Sequence, residues 1–153
     1  MGAHPVPPGP ARPALCLHGS CVAADGRGLL IRGASGRGKS ALALELIGLG
    51  ADLVADDRTD LTCDGARIIA SAPAALRGLV EARGLGLLRA DHRPAAPLVA
   101  ILDLDAEEPE RLPPHRTTDL LGVTLPLIRG YHNGGMRIPA PAILQYLRKG
   151  RAA

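Results

Sequence analysis

An α/β fold around a mixed sheet is what the sequence predicts, on three observations. The apolar run Leu29-Leu30-Ile31 leads straight into a glycine loop and then a helical pattern. Several short apolar runs are separated by tight turn signals, which read as hairpins and therefore as antiparallel pairing. Residues 98–104 form a near-continuous apolar run of the kind that fills the middle of a sheet.

The elements follow in order. Residues 1–13 carry five prolines and read as a flexible lead-in, not a signal peptide, because no basic segment precedes an apolar one. Residues 14–150 read as one catalytic domain, which the 153-residue length fits. Residues 14–23 read as a strand, residues 25–28 (Asp-Gly-Arg-Gly) as a turn, and residues 29–32 as a strand that pairs back on the first. Residues 39–47 have Leu42, Leu46 and Ile47 on one face and Gly48 and Gly50 as stop signals, which predicts a helix. Residues 52–55 read as a strand ending at Asp56-Asp57-Arg58, and residues 61–70 as a hairpin turning at Asp64-Gly65. Residues 73–80 read as a short helix or loop. Residues 81–88 mix glycine with leucine and carry no clear period. Beyond the 98–104 strand come a charged, Pro-rich loop at 107–114, a strand at 123–128, a flexible loop at 130–135 and a terminal helix at 139–148.

Composition removes several function classes. With no Trp, no Phe and two Tyr, the core has to be aliphatic, and the aromatic platforms of single-strand nucleic-acid binders are missing. A net charge of +3 is too diffuse for a nucleic-acid footprint, so no nucleic-acid partner is expected. No apolar run reaches the ~20 residues of a membrane span, so no membrane partner is expected. Cys16, Cys21 and Cys63 are odd in number and lack metal-site spacing, which fits reduced thiols and a cytoplasmic protein.

Gly33-Ala34-Ser35-Gly36-Arg37-Gly38-Lys39-Ser40 matches the phosphate-loop pattern and sits between a strand and a helix, the context it requires. Glycines let successive N–H groups turn toward phosphate oxygens, and the helix beginning there adds its positive end. Lys39 is expected to neutralise the β and γ phosphates of a nucleoside triphosphate, and the Ser40 hydroxyl to hold Mg²⁺. Asp56 and Asp57 end an apolar strand, where such enzymes place a metal carboxylate. Adjacent acids at a strand end point apart, so one can serve the metal while the other takes a proton from an attacking hydroxyl. Glu81 and Arg83 add a possible metal ligand and a phosphate contact. An Asn-Lys-x-Asp guanine signature is absent, which argues against a GTPase.

His18-Gly19, the loop at 33–40, Ala55-Asp56-Asp57-Arg58 and Glu81-x-Arg83-Gly84-Leu85-Gly86, in this order and spacing, resemble the HPr kinase/phosphorylase family from about His18 to Gly130. The resemblance covers the family's catalytic domain alone, as in the short forms of alphaproteobacteria. It implies a P-loop nucleotide-binding domain of the PEP carboxykinase-like type and a homo-oligomer, commonly a hexamer. The implied activity is ATP-dependent phosphorylation of a serine on HPr or a nitrogen-branch HPr-like phosphocarrier protein. The implied reverse reaction uses inorganic phosphate and releases pyrophosphate. By the same resemblance Lys39 binds phosphates, Ser40 and Glu81 hold Mg²⁺ with Asp56 beside them, Asp57 is the base, His18 is an active-site histidine, and Arg111 of Glu110-Arg111 is the later catalytic arginine. The segment after Glu81 is shorter than in relatives, the 128–135 loop departs from the family's pattern, and the terminal helix is shortened. Two rival readings share the same loop: a small-molecule kinase or ATPase, and a nucleotide-binding regulator without turnover.

Overall fold

The computed structural model describes residues 14–132 and 134–152. The 1–13 lead-in expected from the sequence lies outside the described residues.

The chain opens with a hairpin of β1 (Leu15–Ala24) and β2 (Arg27–Arg32), paired in register from Gly19↔Arg32 to Ala24↔Arg27. Asp25 and Gly26 connect them at φ 52° and 75°, the positive values that match a two-residue turn to the twist of its strands. Helix α1 (Lys39–Gly48) follows the glycine loop. Next come β3 (Asp52–Ala55), the hairpin of β4 (Arg58–Asp64) and β5 (Arg67–Ser71), and a second hairpin of β6 (Leu79–Ala82) and β7 (Gly86–Arg89). The chain then runs through β8 (Ala95–Glu108), β9 (Thr117–Leu120), β10 (Val123–His132), β11 (Met136–Arg137) and helix α2 (Ala140–Lys149).

Nine strands make one sheet along the path β11-β10-β8-β2-β1-β4-β5, with β3 added on β1 and β9 on β10. β8 is parallel to both β2 and β10, and the other pairings are antiparallel. The sheet is therefore mixed, as expected. β5 also pairs with the start of β8, Ile69↔Pro97 to Ser71↔Ala95, so β5, β4, β1, β2 and β8 close into a ring.

Strand alternation then builds two cores. Val22, Ala24, Leu29, Ile31, Ala100 and Leu102 face the helices, where Leu42, Ala43 and Leu46 of α1 and Ile143, Leu144 and Leu147 of α2 cover them. Cys21, Ala23, Leu30 and Ile101 point the other way and meet Leu61, Ile68 and Ala70 inside the ring. Both faces are thus dry over residues 19–24 of β1, 28–31 of β2 and 100–102 of β8, which explains the apolar runs there. Burial pushes the Cys21 thiol up to about 12, so it behaves as a small core residue. Each fully buried Leu or Ile contributes roughly 1.5–3 kcal/mol.

Several elements differ from expectation. β8 extends beyond 98–104 in both directions, and its Glu107 and Glu108 pair in parallel with Tyr131 and His132 of a longer β10. The expected loop at 130–135 is largely the hairpin of β10 and β11, apart from Asn133, which lies outside the described residues. Residues 81–88 belong to the β6–β7 hairpin, whose two glycine-flanked strands form their own sheet.

Candidate active site

The glycine loop leaves the C-terminal end of β2, where β2 and β8 run parallel, and delivers the chain into α1. The ends of parallel strands are where open α/β sheets bind ligands. Gly38 precedes the helix at φ 93°, a left-handed conformation that a side chain disfavours. At Gly33 a Cβ would stand 3.0 Å from the Cβ of Leu104, a tight contact that favours glycine at the strand end. Lys39 is only 7% exposed. Its ammonium donates to the Gly33 carbonyl at 2.7 Å and the Ala34 carbonyl at 3.2 Å, which folds the loop around its side chain.

β1 explains why the two acids face opposite ways. Its C-terminal half pairs with β3, Cys21↔Ala55, and its N-terminal half pairs with β4, His18↔Arg58. Asp56 and Asp57 are the whole connection between β3 and β4, and they cross where the pairing changes. The Asp56 carbonyl accepts the Arg58 N–H at 2.7 Å across Asp57, which sits at φ 65°. That is the bond pattern and φ of the rarer, strained γ-turn. A non-glycine residue held there costs on the order of 1–3 kcal/mol, and the surrounding contacts hold it. The Gly19 N–H donates to the Asp57 carbonyl at 2.9 Å, and the Asp57 N–H to Ser20 Oγ at 3.3 Å.

Asp56 turns inward and is 5% exposed. Its Oδ1 accepts from Ser20 Oγ and Ser40 Oγ, each at 2.7 Å, and its Oδ2 accepts the Glu81 N–H at 2.9 Å. One buried carboxylate thus joins β1, α1 and β6. Asp57 turns outward, where its Oδ1 accepts from His18 Nε2 at 2.7 Å. Both side chains of that pair are more than half exposed.

A cleft of about 560 Å³ opens against this arrangement, lined by Ser35, Gly36, Gly38, Lys39 and Ser40 of the loop and by Asp57, Glu81 and Arg83. Asp56 stands behind Ser40 and is not on the cleft wall. Of the residues expected from the sequence, the loop, Asp57 and Glu81 meet at the cleft, and His18 reaches it through Asp57. Arg111 does not line it. Arg111 is exposed on the segment between β8 and β9, whose base Glu108 and Arg116 clamp with bonds of 2.7 and 2.9 Å. That guanidinium holds the Glu108 carboxyl down to about 2. Sequence reasoning missed Ser20, a polar residue on an apolar strand whose partner is 36 positions away. Leu85 and Leu87 stand 80% and 62% exposed at the β6–β7 hairpin, with Leu87 directly opposite Glu81.

The chain was compared with known proteins. The model for the HPr serine kinase C-terminal domain matches residues 12–93. The HPr kinase/phosphorylase of Clostridium tetani is 49% identical over 72 residues, which cover 47% of this chain and 24% of that protein. That of Listeria welshimeri is 46% identical over 77 residues, covering 50% and 25%. The chain thus spans about a quarter of the length of these relatives. Among solved structures, the HPr(Ser) kinase/phosphatase from Coxiella burnetii superposes with a TM-score of 0.72 over 88% of each chain, at 25% identity. The matched segment contains His18, the glycine loop, both acids and Glu81, and the chain belongs to the HPr serine kinase C-terminal domain family.

Proposed function

We propose that the chain is an ATP-dependent protein-serine kinase acting on HPr or a nitrogen-branch HPr-like phosphocarrier protein. The single observation that carries the reading is the placement of Asp57. It borders the same cleft as Lys39 and Ser40, and its carboxylate is oriented by His18 at 2.7 Å.

The residues fit magnesium and a triphosphate by their chemistry. Hydroxyl and carboxylate oxygens are the hard ligands that magnesium takes, and Ser40, Glu81 and the nearby Asp56 supply them. Ser40 donates its proton to Asp56, which leaves the Ser40 oxygen lone pairs for a cation. Asp56 serves by orienting Ser40 and the Glu81 strand from behind. When bound, magnesium neutralises charge on the β and γ phosphates. The loop 33–40 then holds the phosphates with its N–H groups and Lys39. His18 keeps the Asp57 carboxylate aimed at the cleft, and Asp57 accepts the proton of the acceptor serine as the phosphoryl group moves in line. Positioning and charge neutralisation supply most of the rate.

A P-loop of the PEP carboxykinase-like type, a homo-oligomeric assembly, a cytoplasmic setting and a catalytic part for Arg111 belong to the same reading. So does phosphorolysis, in which Asp57 returns the proton. The exposed leucines favour a protein acceptor over a small molecule, since they offer an apolar surface on the hairpin that carries the cleft-lining Glu81.

The test is incubation with γ-labelled ATP, magnesium and each purified carrier in turn. Label on a carrier serine supports the reading. Free phosphate with an unlabelled carrier points instead to an ATPase or small-molecule kinase, and retained label on bound ATP points to a regulator.

A further inference from the structure

We propose that Asp105 is the positioning residue that sets the glycine loop in its phosphate-binding shape. The proposal rests on reading residues 33–40 as a phosphate loop. Parallel pairing of β2 with β8 puts Arg32 opposite Asp103. Two residues further along each strand direction, Ala34 and Asp105 meet. The Asp105 carboxylate accepts the Ala34 N–H on both oxygens, at 3.1 and 3.0 Å, and its Oδ1 also accepts from Arg37 Nε at 3.1 Å. One carboxylate thereby ties two loop residues that are three positions apart. Between them, the Arg37 N–H donates to the Ala34 carbonyl at 3.2 Å and closes a turn.

Asp105 is itself held. Asp103 Oδ1 accepts the Asp105 N–H at 2.8 Å, and Asp103 Oδ2 accepts from Arg32 Nε at 3.2 Å. A second tie comes from β10, where the Tyr131 hydroxyl donates to the Arg37 carbonyl at 3.2 Å.

The side of the loop on which these ties fall decides their role. Ser35, Gly36, Gly38, Lys39 and Ser40 line the cleft, whereas Ala34, Arg37 and Asp105 do not. Asp105 therefore grips the loop from its outer side and leaves the cleft-facing N–H groups free for a ligand. A glycine-rich segment left unrestrained loses much backbone freedom on binding. A loop already closed on Asp105 avoids that cost, which strengthens binding without any contact to the ligand.

The experiment measures binding of magnesium and a non-hydrolysable ATP analogue to wild type, Asp105→Ala and Asp105→Asn by calorimetry. Hydrogen exchange at Ala34 is followed without nucleotide. Asp105→Ala is expected to weaken binding about tenfold, the size of one charge-assisted hydrogen bond at a part-exposed site. Its turnover at saturating ATP should stay within about twofold and its melting temperature near wild type, because only the loop is released. Ala34 exchange should accelerate. Asp105→Asn keeps an acceptor for the Ala34 N–H and should recover part of the affinity. Wild-type affinity in Asp105→Ala overturns the proposal, and so does tighter binding in either variant, which would make Asp105 a competitor of phosphate. A wild-type chain that binds no nucleotide overturns the phosphate-loop reading and this proposal together. Accelerated Ala34 exchange with unchanged affinity overturns this proposal alone.

Discussion

The inner wall of the site is Lys39, which lines the cleft, backed by Asp56 behind Ser40; they are 7% and 5% exposed, and the protein itself satisfies them. Loop carbonyls hold the ammonium, while two serine hydroxyls and a backbone N–H hold the carboxylate. The outer wall is Asp57 and Glu81, which line the cleft, with the exposed His18 bonded to Asp57 and the exposed Leu85 and Leu87 on the hairpin that carries Glu81; the His18 and Asp57 side chains are 54% and 59% exposed. The difference separates two kinds of task. Under the proposed function, the groups fixed before a ligand arrives are the buried, hydrogen-bonded ones, and the open ones are those left for a protein acceptor. Asp56 and Asp57 show the division within one peptide link, because the strained turn at Asp57 sends one carboxylate inward behind Ser40 and the next outward to the cleft.

The largest expected effect on nucleotide binding is on the inner wall. Lys39→Ala removes the buried ammonium at the cleft and the bonds that curl the loop. Binding of magnesium and ATP should fall roughly a hundredfold in calorimetry, the equivalent of two strong charge-assisted bonds. Binding near wild type would dissolve the idea of a preset inner wall.

Asp56→Asn sharpens the contrast with its neighbour. The amide keeps an acceptor for the serines but brings two donors toward a site filled with donors. It should cost about 1–3 kcal/mol in denaturant unfolding and raise the magnesium needed for half-maximal activity about tenfold. The same change at exposed Asp57 should move stability by less than about 0.5 kcal/mol, since Asn tolerates a left-handed backbone and the altered hydrogen bond to His18 is solvated. Equal destabilisation at the two positions would break the comparison.

On the outer wall, Leu85→Ser combined with Leu87→Ser should raise KM for the phosphocarrier several-fold and leave KM for ATP unchanged, as truncation of rim contacts does. A parallel rise in both constants would tie the leucines to the loop instead.

The smallest effect on activity is expected at Glu108, away from both walls. Arg116 holds its carboxyl at about 2, below the ordinary carboxylate range. A depressed folded-state value stabilises the fold above the ordinary range, and that contribution is lost as pH falls from about 4.5 toward 2. Glu108→Gln should therefore lower the melting temperature at pH 7 and flatten its decline on acidification across that window. At neutral pH its turnover should differ from wild type by no more than Arg111 depends on the clamped segment.

Much of the inner wall was legible in the sequence because it is local. The loop and α1 follow one another without a break, and the turn chemistry of β1–β2 and β4–β5 is written in adjacent residues such as Asp25-Gly26. The outer wall and the strand ends were harder to read because their causes are distant. Glu107 and Glu108 look like loop residues until β10 pairs with them, and Pro97 looks like a strand breaker until β5 supplies an edge partner. Leu85 and Leu87 carry no period, because their side chains pack on nothing in this chain's core. Ser20 and Asp105 gave no local signal, since their partners lie 36 and about 70 positions away. Glu81 stood out as a charged residue before a glycine segment and the family resemblance supplied His18, and geometry now joins both to the two acids: Glu81 through its N–H on Asp56, His18 through its bond to Asp57. Arg111 was carried over by the same route, yet it stands on a separate clamped segment.

The most direct test of the central claim is phosphoryl transfer to the carrier serine by wild type and Asp57→Asn, with ATP binding measured alongside. The account predicts that Asp57→Asn binds ATP as wild type does while kcat falls about 10²- to 10⁴-fold, the range of a lost general base. Transfer at the wild-type rate by Asp57→Asn, with ATP bound, would contradict it.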